Sequence, residues 1–272
     1  MKEMLKIEDV SKVVENGKKT IIEGISFGIK EKEFVGILGP SGAGKTMTMR
    51  CINGLTVPTS GQVTLTSNKS GNSYNLVGSK KRELRKAREK LGVIFQGFNL
   101  VKRASAIENV MMGRLGQISV LRSLTLGFTD EEAQEALELL NLVKIADLAY
   151  RKVGSLSGGE MQRVAIARAL FQNPSVLLAD EPIANLDPSN AESIMRLLKR
   201  LSSRFPIVGV FHQPEMTAKY CTRVIAIKAG KIVYDGSPNL TPEALEYIYE
   251  EELEGMDIQI ESYLNAPEQE LV

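Results

Sequence analysis

Gly39-Pro40-Ser41-Gly42-Ala43-Gly44-Lys45-Thr46 is the stretch on which the reading of this chain turns. It fits G-x-x-x-x-G-K-[ST], a loop built to wrap phosphate. Phe34-Val35-Gly36-Ile37-Leu38, just before it, reads as a short buried strand. Met47 to Ile52, just after it, carries no breaker and continues as a helix. Glycines let the backbone close tightly, so that several N–H groups converge on one anion. The helix N-terminus adds a partial positive charge at the same point. Lys45 is placed to reach the β- and γ-phosphates of a nucleotide, and the Thr46 hydroxyl to ligate Mg²⁺. The loop therefore specifies a nucleotide without saying what the nucleotide is used for.

Composition narrows the setting. The 272 residues are 43% hydrophobic and 25% charged, enough for a sizeable core in one large domain or two small ones. A formal net charge of +1 provides no global field towards nucleic acid or anionic lipid. Cys51 and Cys221 have no metal-ligand spacing and read as reduced thiols of a cytosolic protein. Met1 to Lys6 is charged, and no apolar run approaches the length of a membrane span. Any work at a membrane is expected to pass through a partner. The chain has no tryptophan and 6% aromatic residues, which argues against a base-stacking surface.

Alternation predicts strands over Met4–Val10 and Ile21–Ile29, with a turn at Asn16-Gly17. Another strand is expected over Gly61–Thr66, followed by a polar loop over Ser67–Asn75. Lys80–Lys90 is strongly basic and reads as a solvated helix face, with Leu84 and Ala87 or Leu91 inward, in preference to a nucleic-acid patch. Leu91–Phe95 is a short apolar strand ending at Gln96. From Asn99 to about Arg151 the pattern is helical, and Thr129-Asp130-Glu131-Glu132 supplies a cap, a capping-box Glu and an acidic first turn. Gly159–Phe171 reads as a helix stopped by Pro174, and Val176–Ala179 as an apolar strand. Ser189 is the expected cap of a helix turning Ile194, Leu197, Leu198 and Leu201 inward. Ile207–Phe211 reads as a strand, and Val224–Ile227 with Ile232–Tyr234 as a hairpin. Apolar strands alternating with helices imply a mainly parallel, buried sheet.

A second set of polar residues falls at strand ends, where open α/β sheets bind ligands. Asp180 and Glu181 follow Val176–Ala179; Asp180 can hold Mg²⁺ and Glu181 can polarise an attacking water. His212, the single histidine, and Gln96 also end apolar strands. Leu156-Ser157-Gly158-Gly159-Glu160 opens a helix with a hydroxyl and two glycines, a second anion cradle. One nucleotide needs one phosphate loop, so the second cradle suggests a site completed by another copy.

In their order along the chain, Gly39–Thr46, Gln96, Leu156–Glu160, Val176–Glu181, Asn185-Leu186-Asp187 and His212 resemble the ATP-binding domain of ABC transporters, from about Leu5 to Gly236. The resemblance implies an α/β, RecA-like P-loop NTPase: a mainly parallel sheet core, an N-terminal antiparallel β part and a helical subdomain insert. It implies an ABC domain over residues 1–240 with the insert at roughly 99–165; the tail over 241–272, with Glu250, Glu251, Glu252 and Glu254, reads from its own residues as acidic and helical. It places Gly39, Pro40, Ser41, Gly42, Ala43, Gly44, Lys45, Thr46, Met47 and Gln96 on the nucleotide, and Thr46, Gln96 and Asp180 on Mg²⁺. Glu181 would be the catalytic carboxylate, assisted by His212 as γ-phosphate switch and by Lys45. Ser157, Gly158, Gly159 and Glu160 would act on the ATP of a second subunit, and Asp187 would touch the partner's loop. ATP and Mg²⁺ are the implied cofactors. The implied partners are a second ATPase subunit, membrane permease subunits and, indirectly, a substrate-binding protein, with no nucleic acid. The implied location is the cytoplasmic face of the membrane.

Ile94–Val101, Glu108-Asn109-Val110, Gly113-Arg114-Leu115-Gly116 and Leu240–Leu245 resemble the ATPases of bacterial phosphonate importers within that family. A soluble ABC-type ATPase, for example one associated with carbon–phosphorus bond cleavage, is the alternative. Three positions depart from the family pattern. Val14 stands near the place of an adenine-stacking aromatic, Met47 where a hydroxyl is common, and Asn185 where a small residue is usual.

Overall fold

The computed structural model describes residues 2–14, 17–68, 70–118 and 127–250. Two sheets share the molecule. β1 (Glu3–Val14) and β2 (Lys19–Lys30) pair antiparallel, β4 (Ser60–Thr66) takes the other edge of β1, and β5 (Ser73–Asn75) pairs with β4. The larger sheet contains β3 (Phe34–Leu38), β6 (Leu91–Ile94), β7 (Val176–Asp180), β8 (Ile207–Val210), β9 (Arg223–Lys228) and β10 (Lys231–Gly236), in the order β10-β9-β3-β8-β7-β6. β9, β3, β8, β7 and β6 run parallel, and β10 is an antiparallel edge.

Side chains on a strand alternate between faces, and the larger sheet is covered on both. Val35, Ile37, Leu178, Val208 and Val210 pack towards the antiparallel sheet, against Leu5, Ile25, Ile29 and Val63. Phe34, Leu38, Leu177, Ala179 and Ile207 point the other way, against the helices. This two-sided burial explains why these strands carry apolar residues at successive positions.

α1 (Lys45–Ile52) follows the glycine-rich loop, and α2 (Lys81–Arg88) precedes β6. Between β6 and β7 stand α3 (Ala106–Met111), α4 (Asp130–Leu142) and α5 (Gly158–Phe171). Among the described residues of this stretch, the β pairing is a single Ser105–Lys152 bridge. Each of the three helices opens with a complete capping box: Ser105 with Glu108, Thr129 with Glu132, and Ser157 with Glu160. α6 (Pro188–Leu201) and α7 (Pro214–Tyr220) cover the helical side of the sheet, and residues 242–250 form the last described helix.

The structure corrects several expectations. Ser73–Asn75, expected as loop, is a strand, because buried Leu76 anchors the segment and its N–H bonds to Val63 O at 2.8 Å. β1 runs on to Val14 through register shifts, one of them near Asp9, whose φ is 48°. α6 is capped by Asp187 rather than Ser189: Pro188 takes the first helical position, and the Asp187 carboxylate accepts from Asn190 N–H. Met195 joins the inward face expected of Ile194, Leu197, Leu198 and Leu201, and Leu197, half-buried, packs against the same core. α2 exposes its basic face as expected, with Ala87 buried. Its Arg88 donates to Gly54 O, and Arg85 donates to Gly116 O. The turn residue Asn16 and the tail beyond Glu250 lie outside the described residues.

Hydrogen bonds from Ser105 hold the Glu108 carboxyl below its ordinary value of 4.5, and Ser157 does the same for Glu160. A lowered folded-state value means stability that is present above the ordinary pKa and lost as pH falls through the lowered one. The doubly substituted Glu108→Gln, Glu160→Gln protein should therefore lose less melting temperature than the wild type between about pH 5 and pH 3. Thermal melts followed by circular dichroism across that range measure the difference in slope.

Candidate active site

The register of the parallel ladder gathers the predicted residues. Ile37 lies opposite Val210, Val210 opposite Asp180, and Ala179 opposite Ile94. The four strands thus finish in one row. The residues that follow, Gly39, His212, Glu181 and Gln96, emerge along one edge of the sheet, the ligand-binding end of such folds.

The glycine-rich loop encloses a cavity of about 240 Å³, lined by Ser41 to Met47, with Ile21, Glu181 and His212 completing the wall. Gly39 has φ of 143°, and a Cβ there would lie 2.0 Å from Ile227 O. Gly44 has φ of 103° and would press a Cβ against Ile22 and Ile21. No side chain fits either position, so the backbone can turn its N–H groups inward. Lys45 is only 5% exposed, and its ammonium donates to Gly39 O at 2.7 Å and Pro40 O at 2.8 Å. A buried cation held by two backbone carbonyls, beside a loop whose N–H groups can turn inward, is suited to a phosphate chain.

Across the cavity Glu181 is gripped at both oxygens. Gln96 Nε2 donates to one at 2.6 Å, and His212 Nε2 lies 2.8 Å from the other. Glu181 itself adopts φ of 48°, a left-handed conformation that side chains rarely take. The strand stops at Asp180, and this sharp turn aims the next carboxylate at the loop. Asp180 is raised above its ordinary pKa of 3.8, first by burial and then by the adjacent Glu181 charge, with Arg50 opposing. A carboxyl destabilised in its ionised form in this way is one that a cation would relieve. Among the described residues no cluster of three or more His, Cys, Asp or Glu side chains could hold a metal. The donor set of Thr46 and Asp180 fits Mg²⁺, which takes few protein ligands and completes its shell with phosphate oxygens and water.

Ser157–Glu160 and Asp187 do not line this cavity. They form a second centre. Ser157 Oγ donates to Glu160 Oε2 at 2.9 Å and accepts from Glu160 N–H at the first turn of α5. Asp187 accepts from Asn190 Nδ2 at 2.6 Å. A Cβ on Gly159 would fall 2.6 Å from Asn190 Oδ1, so the starts of α5 and α6 touch at this glycine. Asn190 carries no motif and was found only through the fold; its one signal is its place three residues after the capping Asp187. Ile21 is a further wall residue that nothing in the sequence marks. Val14 ends β1 opposite Lys19 and does not line the cavity, whereas Met47 does. Asn185 has φ of 60°, a conformation in which Asn is enriched, and this accounts for its departure from a small residue.

A protein-family profile described as ABC transporter matches residues 22–184, more than half of the chain. The phosphonates import ATP-binding protein PhnC of Lactococcus lactis subsp. lactis is 42% identical over 252 residues, covering 92% of this chain and 100% of that protein. PhnC 2 of Oceanobacillus iheyensis is 42% identical, covering 86% and 91%. A solved dimeric ATP-binding cassette in a post-hydrolysis state with ADP and Pi superposes with a TM-score of 0.73 at 33% identity, covering 88% of this chain and 100% of that one. A further cassette in its ADP conformation gives 0.76 at 25% identity, covering 98% and 100%.

Gly39→Ala should weaken nucleotide binding at least about tenfold, roughly 1.4 kcal/mol, while leaving the circular dichroism spectrum intact. Titration with a fluorescent ADP analogue measures the loss.

Proposed function

The chain belongs to the ABC transporter family of ATP-binding subunits, and we propose that it is the ATP-hydrolysing subunit of an importer for phosphonate or a related phosphorus oxyanion. The observation that carries this reading is the Glu181 carboxylate, held by Gln96 and His212 at the mouth of the glycine-loop cavity.

Ser41–Thr46 and Lys45 grip the phosphate chain of ATP through backbone N–H groups and the ammonium. Glu181 orients and polarises the attacking water, accepting its proton as the water oxygen bonds to the γ-phosphorus and the bond from that phosphorus to the β–γ bridging oxygen breaks, ADP leaving with the bridging oxygen. His212, bonded to the same carboxylate, registers whether the γ-phosphate is present. When bound at Thr46 and Asp180, Mg²⁺ supplies neutralisation of charge on the phosphate oxygens. Gln96 contacts Glu181 from the side of the helical insert, so movement of the insert reaches the carboxylate directly.

The site is half of a composite. Ser157–Glu160 and Asp187 lie away from the cavity of their own chain, and the dimeric cassette among the solved structures supports their use on the ATP of a second copy. Two copies then enclose two ATP molecules.

Beside Gln96 lies a groove of about 390 Å³, lined in part by Leu55, Arg88, Phe95 and Met112. Leu55 and Val57 expose 58% and 61% of their surface near it, unusual for large apolar residues. A permease segment docking here would cover them and receive the motion of the Gln96 segment. Among the described residues no helix is long and apolar enough to cross a membrane. A peripheral position on the cytoplasmic face, through the permease, is the arrangement that fits. Substrate choice would rest with the permease and a substrate-binding protein.

Glu181→Gln should bind ATP, dimerise stably and hydrolyse roughly 10²–10⁴-fold more slowly; wild-type turnover removes the assignment. A hybrid dimer of one Ser157→Arg subunit and one Lys45→Ala subunit should retain one working site, because both lesions fall in the same composite site, read from the burst of ADP per dimer; no burst, or a burst of two, refutes completion by the second copy. The importer reading is tested by reconstitution with permease and binding protein: ATPase activity should rise on adding phosphonate, and indifference to all three would exclude it.

A further inference from the structure

At the opposite end of the parallel sheet from the ATP cavity lies a second polar cavity, of about 280 Å³. No carboxylate lines it, but two cations do, Lys90 and Arg204. Neither makes an ion pair among the described residues. Arg204 stacks its guanidinium 5.3 Å from the Phe205 ring centre, which holds the group in place without neutralising it. The main chain of Lys90 is tied across the cavity, its carbonyl accepting from Ser175 N–H at 2.7 Å.

Two buried serines complete the lining. Ser67 is 1% exposed and Ser175 3%. Each hydroxyl accepts a backbone N–H: Ser175 Oγ from Asn68 at 3.2 Å, and Ser67 Oγ from Ser70 at 3.4 Å. A hydroxyl has one hydrogen to give as well. Neither serine donates its own to any described acceptor, and a buried donor left unspent is costly. Asn173, also in the lining, has a backbone φ of 56° and a side-chain amide that bonds to no described partner. The cavity thus offers two positive charges and uncommitted donors, and no negative group. That is the chemistry of a multiply charged, small oxyanion, for which arginine and hydroxyl donors are matched partners.

We propose that this cavity binds a phosphorus oxyanion of the phosphate or phosphonate class, as an effector site separate from the ATP site. The oxyanion chemistry rests on the cavity alone; the phosphonate source rests on the importer reading above. The placement gives such a ligand a lever. Lys90 immediately precedes β6 and Ser175 immediately precedes β7, and these strands pair from Leu91 with Val176 to Ile94 with Ala179. Their far ends carry Gln96, Asp180 and Glu181. A ligand spanning Lys90 and Ser175 clamps the starts of the two strands whose ends hold the catalytic carboxylate and its amide partner.

The test uses the full chain with its ATP site filled by a non-hydrolysable ATP analogue and Mg²⁺, so that the glycine loop cannot report. Inorganic phosphate and methylphosphonate are titrated separately by calorimetry. One saturable site is expected for at least one of them, weakened at least tenfold in Lys90→Ala, Arg204→Ala and restored in part by Arg204→Lys alone. Lys86→Ala, which removes an exposed cation of α2, should leave binding unchanged. Without added oxyanion, the ATPase rate and melting temperature of the double variant should match the wild type. Tighter binding of phosphate identifies the hydrolysis product as the source, and tighter binding of methylphosphonate the imported compound. No saturable binding of either, or equal affinity in wild type and double variant, overturns the site. Loss of permease stimulation alone would count against the importer reading and leave the cavity result standing.

Discussion

Parallel pairing of β3, β8, β7 and β6 sets the position of every group that meets ATP in this account. A parallel ladder cannot be closed unless neighbouring strands point the same way, so their carboxyl ends arrive together. With Ile37 opposite Val210 and Val210 opposite Asp180, a one-residue slip would move Glu181 away from both His212 and the glycine loop. The slip is prevented by burial on both faces: Val35 and Ile37 would exchange places with Phe34 and Leu38 in two differently shaped cores. The precision of the site is therefore set by packing far from it, and the loops at the strand ends carry strain that the ladder can bear. Glu181 in a left-handed conformation is the clearest instance.

Within this frame the chemistry is divided between two surfaces. The glycine loop, Glu181 and His212 face one cavity, and Gln96 bonds to the Glu181 carboxylate. The capped start of α5 and the Asp187 turn face elsewhere, joined to each other through Gly159 and Asn190. The start of α5 is an exposed serine and two glycines at a helix N-terminus, with the Ser157 hydroxyl bonded to Glu160 of its own chain. In the proposed assembly of two copies each helix start would meet the other's nucleotide, so binding energy from ATP would become association energy between subunits. Gln96, bonded to the carboxylate, follows Phe95, which lines the groove beside Leu55 where a membrane partner would dock.

Much of this could be read before any coordinates. The glycine loop announced itself because few backbones can make such a turn, and its residues are dictated by steric exclusion. The apolar strands were legible because two-sided burial removes polar alternation. The Thr129 capping box was legible because its partners are three residues apart. What escaped depended on partners distant in sequence or on local competition. β5 forms because buried Leu76 draws a polar segment to the edge of β4, which no local propensity shows. The α6 cap moved from Ser189 to Asp187 because a proline prefers the first helical position. Ile21 joined the cavity wall only through the packing of one sheet on the other. Asn185, which looked like a departure from pattern, is explained by a backbone angle that sequence does not display.

The central claim is that one chain holds half an ATP site. Nucleotide-dependent cross-linking tests it most directly, with a cysteine placed at Ser41 in one copy and at Ser157 in another. The native Cys51 and Cys221 are buried, with thiols pushed up to about 11 and about 12, and do not compete. The account predicts a disulfide between copies that forms in the presence of a non-hydrolysable ATP analogue and fails to form without it. Efficient ATP hydrolysis by protein that never cross-links, or cross-linking indifferent to nucleotide, would contradict it.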